Sequence, residues 1–217
     1  MGKFDSGYPL MDPNKSFRFT CQQCGNCCRR VANSVMVEGL DLYRLAELLH
    51  MDMAEVSRRY TDTVMLAWGT PALVLKVVKP DDACVFLKDN NCSVHPARTR
   101  ACRMYPMSAV PDETLKDTLI FNVSGEQQHH FNGRWYRARK WIDDNVHTVD
   151  QTYVKMECRA LLECVPIMNR IPHDREDDVR SQMLRWRFFE FDMDQSFLLQ
   201  FIDNMEKLKQ ALEQLTI

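Results

Sequence analysis

Nowhere in the chain do apolar residues run uninterrupted for the ~18 that a membrane-crossing helix needs. The opening MGKFDSGYPLMDPNKSF also holds no apolar segment of the kind a secretory signal requires. A cytoplasmic location is therefore expected. Excess charge of one sign is missing too: the formal charge is −2 and the pI about 6.3. That balance argues against a surface that is basic all round and holds nucleic acid through its phosphates, and it leaves room only for local basic patches. Nucleotide-binding loops are absent, since neither G-x-G-x-x-G nor G-x-x-x-x-G-K-[ST] occurs. A zinc deaminase would need H-x-E ahead of P-C-x-x-C, and neither part is present. Internal repeats and low-complexity tracts are lacking as well.

Cysteine, by contrast, is plentiful. The 217 residues include nine, and TCQQCGNCCRR (20–30) alone holds Cys21, Cys24, Cys27 and Cys28. A chain of this length, 45% hydrophobic, can bury a core without covalent staples. In a cytoplasmic setting dense cysteines are ligands or catalysts rather than disulfides. Their odd number also means that the nine cannot all pair. A thioredoxin-like redox pair normally opens a helix after a strand, and no strand-like run precedes Cys21. Metal ligation is the preferred reading, with disulfides and a redox-active thiol pair as the lesser alternatives.

Cys84, Cys92 and Cys102 bring the first half to seven thiols. The opening C-x2-C-x2-C matches the start of a bacterial ferredoxin run, but the fourth member, x3-C-P, is missing, so a distant cysteine has to complete the site. Gly25, directly after Cys24, suits the tight turn of a metal knuckle. In an extended segment Cys27 and Cys28 would point to opposite sides, and only one would join Cys21 and Cys24 on a common ion. His95, three residues after Cys92, is a candidate ligand in place of a sulfur. Thiolates accumulate negative charge, and Arg29, Arg30, Arg98, Arg100 and Arg103 lie close enough in sequence to donate to them. Spacing does not separate zinc from iron, because thiolate-rich sites suit both.

FTCQQCGNCCR (19–29), DLYRLAELL (41–49) and CVFLKDNNCSVHPARTRACRMYP (84–106), in that order, resemble the CxxCxxCC family, often called YkgJ-like and ascribed zinc or iron chelation. The resemblance covers roughly residues 18–107. It implies chelation by Cys21, Cys24, Cys27, Cys28, Cys84, Cys92 and Cys102. An iron–sulfur cluster is the preferred cofactor and Zn2+ the alternative, because flagellin lysine methylases resemble the same family. The family usually carries Arg-Pro before the last cysteine, where this chain has Arg98-Thr99; threonine keeps a polar turn and loses proline's fixed φ.

The expected fold class is α+β: a small mixed metal-binding domain over 18–110, then a mainly helical part over 111–217 packed on it, with the seam at VPDET (110–114). Helices are expected at 38–50, where Leu42, Leu45, Leu48 and Leu49 form a stripe, and at 53–60. Strands are expected at 72–78, 84–88 and 118–123. A long amphipathic helix should carry Phe197, Phe201, Met205, Leu208, Leu212 and Leu215. RWYRARKW (134–141) could stack on RNA, but the preferred reading is the start of an amphipathic helix with Trp135 and Trp141 turned inward. His129-His130 is read as loop. Cys158 and Cys164 lie six apart in a helical pattern, about 120° apart around it, too divergent to share an ion. The function expected is a cytoplasmic cysteine-cluster metalloprotein, structural or electron-transferring. The alternative is a metal-dependent enzyme that modifies a protein or RNA. The expected partner is a metal ion, with room for a protein partner and none for a membrane; nucleic acid is a disfavoured partner that stays open.

Overall fold

The computed structural model describes residues 9–66, 69–112, 114–122 and 132–217. His129 and His130 lie outside them. The described residues begin with two short strands, β1 (Leu10–Met11) and β2 (Ser16–Phe19), and the cysteine loop follows directly, so a strand does precede Cys21 where the sequence shows no strand-like run. Strand β3 (Met36–Val37) then leads into α1 (Gly39–Leu49). That helix starts where Asp41 accepts a hydrogen bond from the Glu38 N–H (3.4 Å). It turns Leu42 and Leu45 fully inward, while Leu48 stays at the surface. Asp52 caps α2 (Met53–Tyr60) by accepting from the Glu55 N–H.

β4 (Thr61–Met65) and β5 (Pro71–Leu75) pair antiparallel, and β3 joins the other edge of β5. Every residue of β5 is buried, as the run ALVL requires of a central strand. Two further ladders carry cysteines. β6 (Val77–Val78) pairs with β7 (Ala83–Cys84), and β8 (Leu87–Lys88) pairs with β9 (Asn91–Cys92). α3 (Arg100–Met104) carries Cys102. A hairpin of β10 (Met107–Pro111) and β11 (Thr118–Asn122) follows, with β1 on its outer edge.

β12 (Arg134–Arg137) pairs with β2 and is followed by α4 (Ala138–Asn145). The helix expected at 134–141 therefore begins four residues late, and Trp135 is 64% exposed rather than inward. Only Trp141 packs inside, its indole N–H donating to the Met104 carbonyl at 2.8 Å. The strand forms because Phe17 and Phe19 of β2 bury one face of the ribbon, a long-range partner that overrides local helical spacing.

The C-terminal part is mainly helical: α5 (Thr148–Met168), α6 (Glu176–Leu184), a π-helical turn at Arg185–Phe189, and α7 (Phe197–Gln214). The six apolar positions expected on α7 are all buried. Two cores result. The larger joins α1, α2, β3 and β5 to α5, α6 and α7; the smaller lies among β1, β2, α3, β10, β11 and α4. The class is α+β, with short strands in small sheets and a helical C-terminal part. At Gly39 the backbone of α1 meets the π turn so closely that a Cβ would lie 2.8 Å from the Arg187 carbonyl. The Gly39 N–H donates to the Tyr153 hydroxyl of α5 (3.0 Å). No helix among the described residues is long and apolar enough to cross a membrane.

Candidate metal centre

Gly25 sets the shape of the cysteine loop. Its φ of +71° lies in the left-handed region, and a Cβ there would meet Leu87 Cδ1 at 3.2 Å and Asn90 Cα at 3.3 Å. The loop is thus pressed against the β8–β9 hairpin that bears Cys92. After Gly25 the chain winds into a 3-10 turn over Asn26–Cys28, closed by the Cys28 N–H to the Gly25 carbonyl (3.0 Å). Arg29 then bonds the Asp81 carboxylate and Asn90 Oδ1 (3.0 Å). Backbone bonds from Arg30 and Val31 reach the carbonyls of Asp81 and Asp82, just ahead of Cys84. Those contacts bring Cys27 and Cys28 to the strands carrying Cys84 and Cys92.

The 3-10 turn overturns the expectation that Cys27 and Cys28 diverge. Their sulfurs are 4.0 Å apart. Two thiolates on one tetrahedral zinc, with Zn–S about 2.3 Å, would be separated by roughly 3.8 Å. The contact between the two sulfurs splits their titration, holding the Cys27 thiol down at about 7 and pushing Cys28 well up. Cys28 is raised further by burial and by the neighbouring charges of Cys27, Cys102 and Cys84. Burial raises Cys84 and Cys92, and each also feels Cys27. Cys102 is pushed up to about 12, chiefly by burial and then by Cys84 and Cys92. Five thiols therefore share one electrostatic neighbourhood. Cys21 and Cys24 reach its edge at Tyr105, whose phenol is raised by burial and by the charges of Cys27, Cys24 and Cys21.

Arg98 is the guanidinium that acts on these sulfurs, lowering both Cys27 and Cys92. It also donates to His95 Nε2 (3.0 Å), and His95 is exposed. Arg30 is exposed as well, with its side chain in no ion pair among the described residues. Arg29 and Arg103 direct their donors to oxygen rather than to sulfur: Arg29 to Asp81 and Asn90, Arg103 to Asp150 (2.7 and 3.0 Å) and the Asn145 carbonyl. Arg100 forms a fork with Glu38 and also bonds the Ala109 carbonyl. Asp41 accepts from the Arg100 N–H (2.9 Å) and lies 3.7 Å from Arg103. These carboxylates hold α3, and with it Cys102, against α1 and α5. Sequence reading missed all three acids, since Glu38, Asp41 and Asp150 are far from the cysteines along the chain. The only local trace of Asp41 and Asp150 is their position in the first turn of a helix.

Thr99, where the resemblance implies proline, keeps a proline-like backbone. Its φ is −56°, within the range proline would impose, and its hydroxyl accepts from the Cys102 N–H at 3.3 Å. Cys158 is half-buried and Cys164 buried in α5, and all nine cysteines are free thiols.

Among the described residues no three His, Cys, Asp or Glu side chains already converge as a finished ligand set. The donor chemistry nevertheless fits a thiophilic ion: soft sulfur ligands crowded until they oppose one another's ionisation, one pair at ligand spacing, and a guanidinium beside them. No curated protein and no solved structure matches the chain. A family model does match, over residues 20–131, just over half of its length. With its cysteine pattern, loop and hairpins inside that span, the chain belongs to the CxxCxxCC family, described as "Putative zinc- or iron-chelating domain".

Proposed function

We propose that this chain is a cytoplasmic metalloprotein that holds an iron–sulfur cluster in a structural or electron-transfer role, with zinc as the alternative occupant of the same thiols. The observation that carries the reading is the 4.0 Å approach of the Cys27 and Cys28 sulfurs on a loop pressed against the β8–β9 hairpin that bears Cys92. Seven thiols exceed the four protein ligands that close one structural zinc site or hold one iron–sulfur cluster, which supports a filled coordination sphere over an open catalytic one. A bound cluster would supply a one-electron couple. The residues around it keep their own tasks: Arg98 offsets thiolate charge, the Gly25 turn sets Cys27 beside Cys28, and Thr99 seats Cys102.

Anaerobic purification from cells supplied with both iron and zinc, followed by metal analysis and a visible spectrum, tests the proposal. Bound iron with sulfide and a charge-transfer absorption that bleaches on reduction is the expected result. Colourless protein with stoichiometric zinc would reject the cluster, and protein retaining neither metal would reject chelation itself.

A further inference from the structure

The ribbon formed by β2 and β12 has one face in the smaller core and one in solvent. Cross-strand partners share a face, so the pairs Phe17–Tyr136 and Phe19–Arg134 lie on the inner side. Arg18–Trp135 and Ser16–Arg137 lie on the outer side. Arg134 reaches the rim, where its guanidinium sits 5.6 Å from the centre of the Tyr136 ring. Trp135 is 64% exposed even though the Arg18 guanidinium lies 5.8 Å from its ring centre. Arg18 Nε donates to the Gly133 carbonyl (3.0 Å), which orients the group and leaves its two terminal nitrogens available.

Charge on this ribbon is of one sign, unlike the chain as a whole. The stretches 15–20 and 132–142 contain no Asp or Glu and hold Lys15, Arg18, Arg134, Arg137, Arg139 and Lys140. Arg139 pairs with Asp117 and Lys140 with Asp144. The other four make no ion pair among the described residues. An open indole among guanidiniums that pair with no carboxylate of the described residues matches two features of a single-stranded nucleic acid together: a base to stack and phosphates to neutralise. An acidic peptide would satisfy the cations but give no reason for an exposed tryptophan.

We infer that the outer face of the β2–β12 ribbon binds single-stranded nucleic acid, with a base stacked on Trp135 and phosphates held by Arg18 and Arg137. Fluorescence anisotropy with the full chain and labelled oligouridylate or oligothymidylate of about twelve nucleotides tests this, at about 50 mM salt, where phosphate contacts are strong. A duplex of equal length and a polyglutamate of equal charge serve as competitors. Saturable binding of either single strand is expected, and the ratio of the two assigns RNA or DNA as the source. Trp135→Ala should weaken binding by about 5- to 100-fold, the range for loss of one base stack, while Trp135→Phe retains most of it. Arg137→Ala should flatten the slope of log affinity against log salt by about 0.7, one phosphate's share. These side chains are solvent-exposed, so circular dichroism and melting temperature should stay at wild-type values. Unchanged affinity in Trp135→Ala, no saturable binding to either strand, or equal affinity for polyglutamate would each overturn the inference.

Discussion

Thr99 shows how much one side chain settles at the centre. Its φ of −56° matches what proline would impose, and its hydroxyl supplies a cap to Cys102 that proline could not. Thr99→Ala should cost about 1 kcal/mol of stability, as cap deletions do. Thr99→Val, similar in size, should cost a comparable amount, and chemical denaturation of both would check it. The cysteine pair makes a sharper claim. If Cys27 and Cys28 ligate one site, Cys27→Ser and Cys28→Ser should each lower bound metal, and the double variant should lose little more than either alone. Losses that simply add would place the two sulfurs in separate sites. Spacing and family pattern name the candidate thiols; how Cys27 and Cys28 face does not follow from them. The reading assumed extended backbone, and the outcome turned on Gly25 taking a left-handed φ that winds the next three residues into a 3-10 turn. That choice depends on the Leu87–Asn90 hairpin lying beneath the glycine, a contact across more than sixty residues.

Secondary elements with strong local periodicity were legible, and those defined by distant partners were not. α1, α2 and α7 carry their apolar stripes in the sequence and form where those stripes predict. At 134–141 an equally suggestive pattern split into strand and helix, because Phe17 and Phe19 offered residues 134–137 an edge to pair with. α5 supports a prediction of its own. Cys158 and Cys164 lie on it six residues apart, and burial pushes both thiols up to about 11. The leading charges acting on them are those of Glu157 on Cys158 and of Lys209 on Cys164. A variant with both changed to serine should therefore keep its full metal content. Cys164 is fully buried, so the added hydroxyl should cost about 1–3 kcal/mol in thermal or chemical unfolding. Metal-free protein from that variant would mean that α5 supplies a ligand.

Across the whole molecule, the cysteine-bearing α3 and helix α1 are joined to α5 by half-buried and buried charge. Glu38 and Asp41 at the start of α1 and Asp150 at the start of α5 face Arg44, Arg100 and Arg103, three acids against three bases. The two aspartates titrate in opposite senses. Burial works against ionised Asp150, yet hydrogen bonds from Arg103 and Arg44 hold its carboxyl at about 2. Burial, followed by the charge of Glu38, raises Asp41 to about 7 despite Arg100 and Arg103. An unfolded aspartate titrates near 3.9. Asp150 therefore contributes stability that is fully present above about pH 4 and is lost as pH falls toward 2. Asp41 has the reverse sign: the folded state takes up its proton as pH falls through about 7, so its contribution grows on acidifying from 7 toward 4. Unfolding of apo protein at a series of pH values, compared with Asp150→Asn and Asp41→Asn, separates the two. Asp150→Asn should cost about 1–3 kcal/mol near neutrality, since it leaves two half-buried guanidiniums short of a charged partner, and the difference should shrink below about pH 4. Asp41→Asn should be least disruptive, relative to wild type, near pH 7 and most disruptive near pH 4. A constant difference across that interval would show that Asp41 keeps one protonation state and that the arginines, rather than burial, govern it.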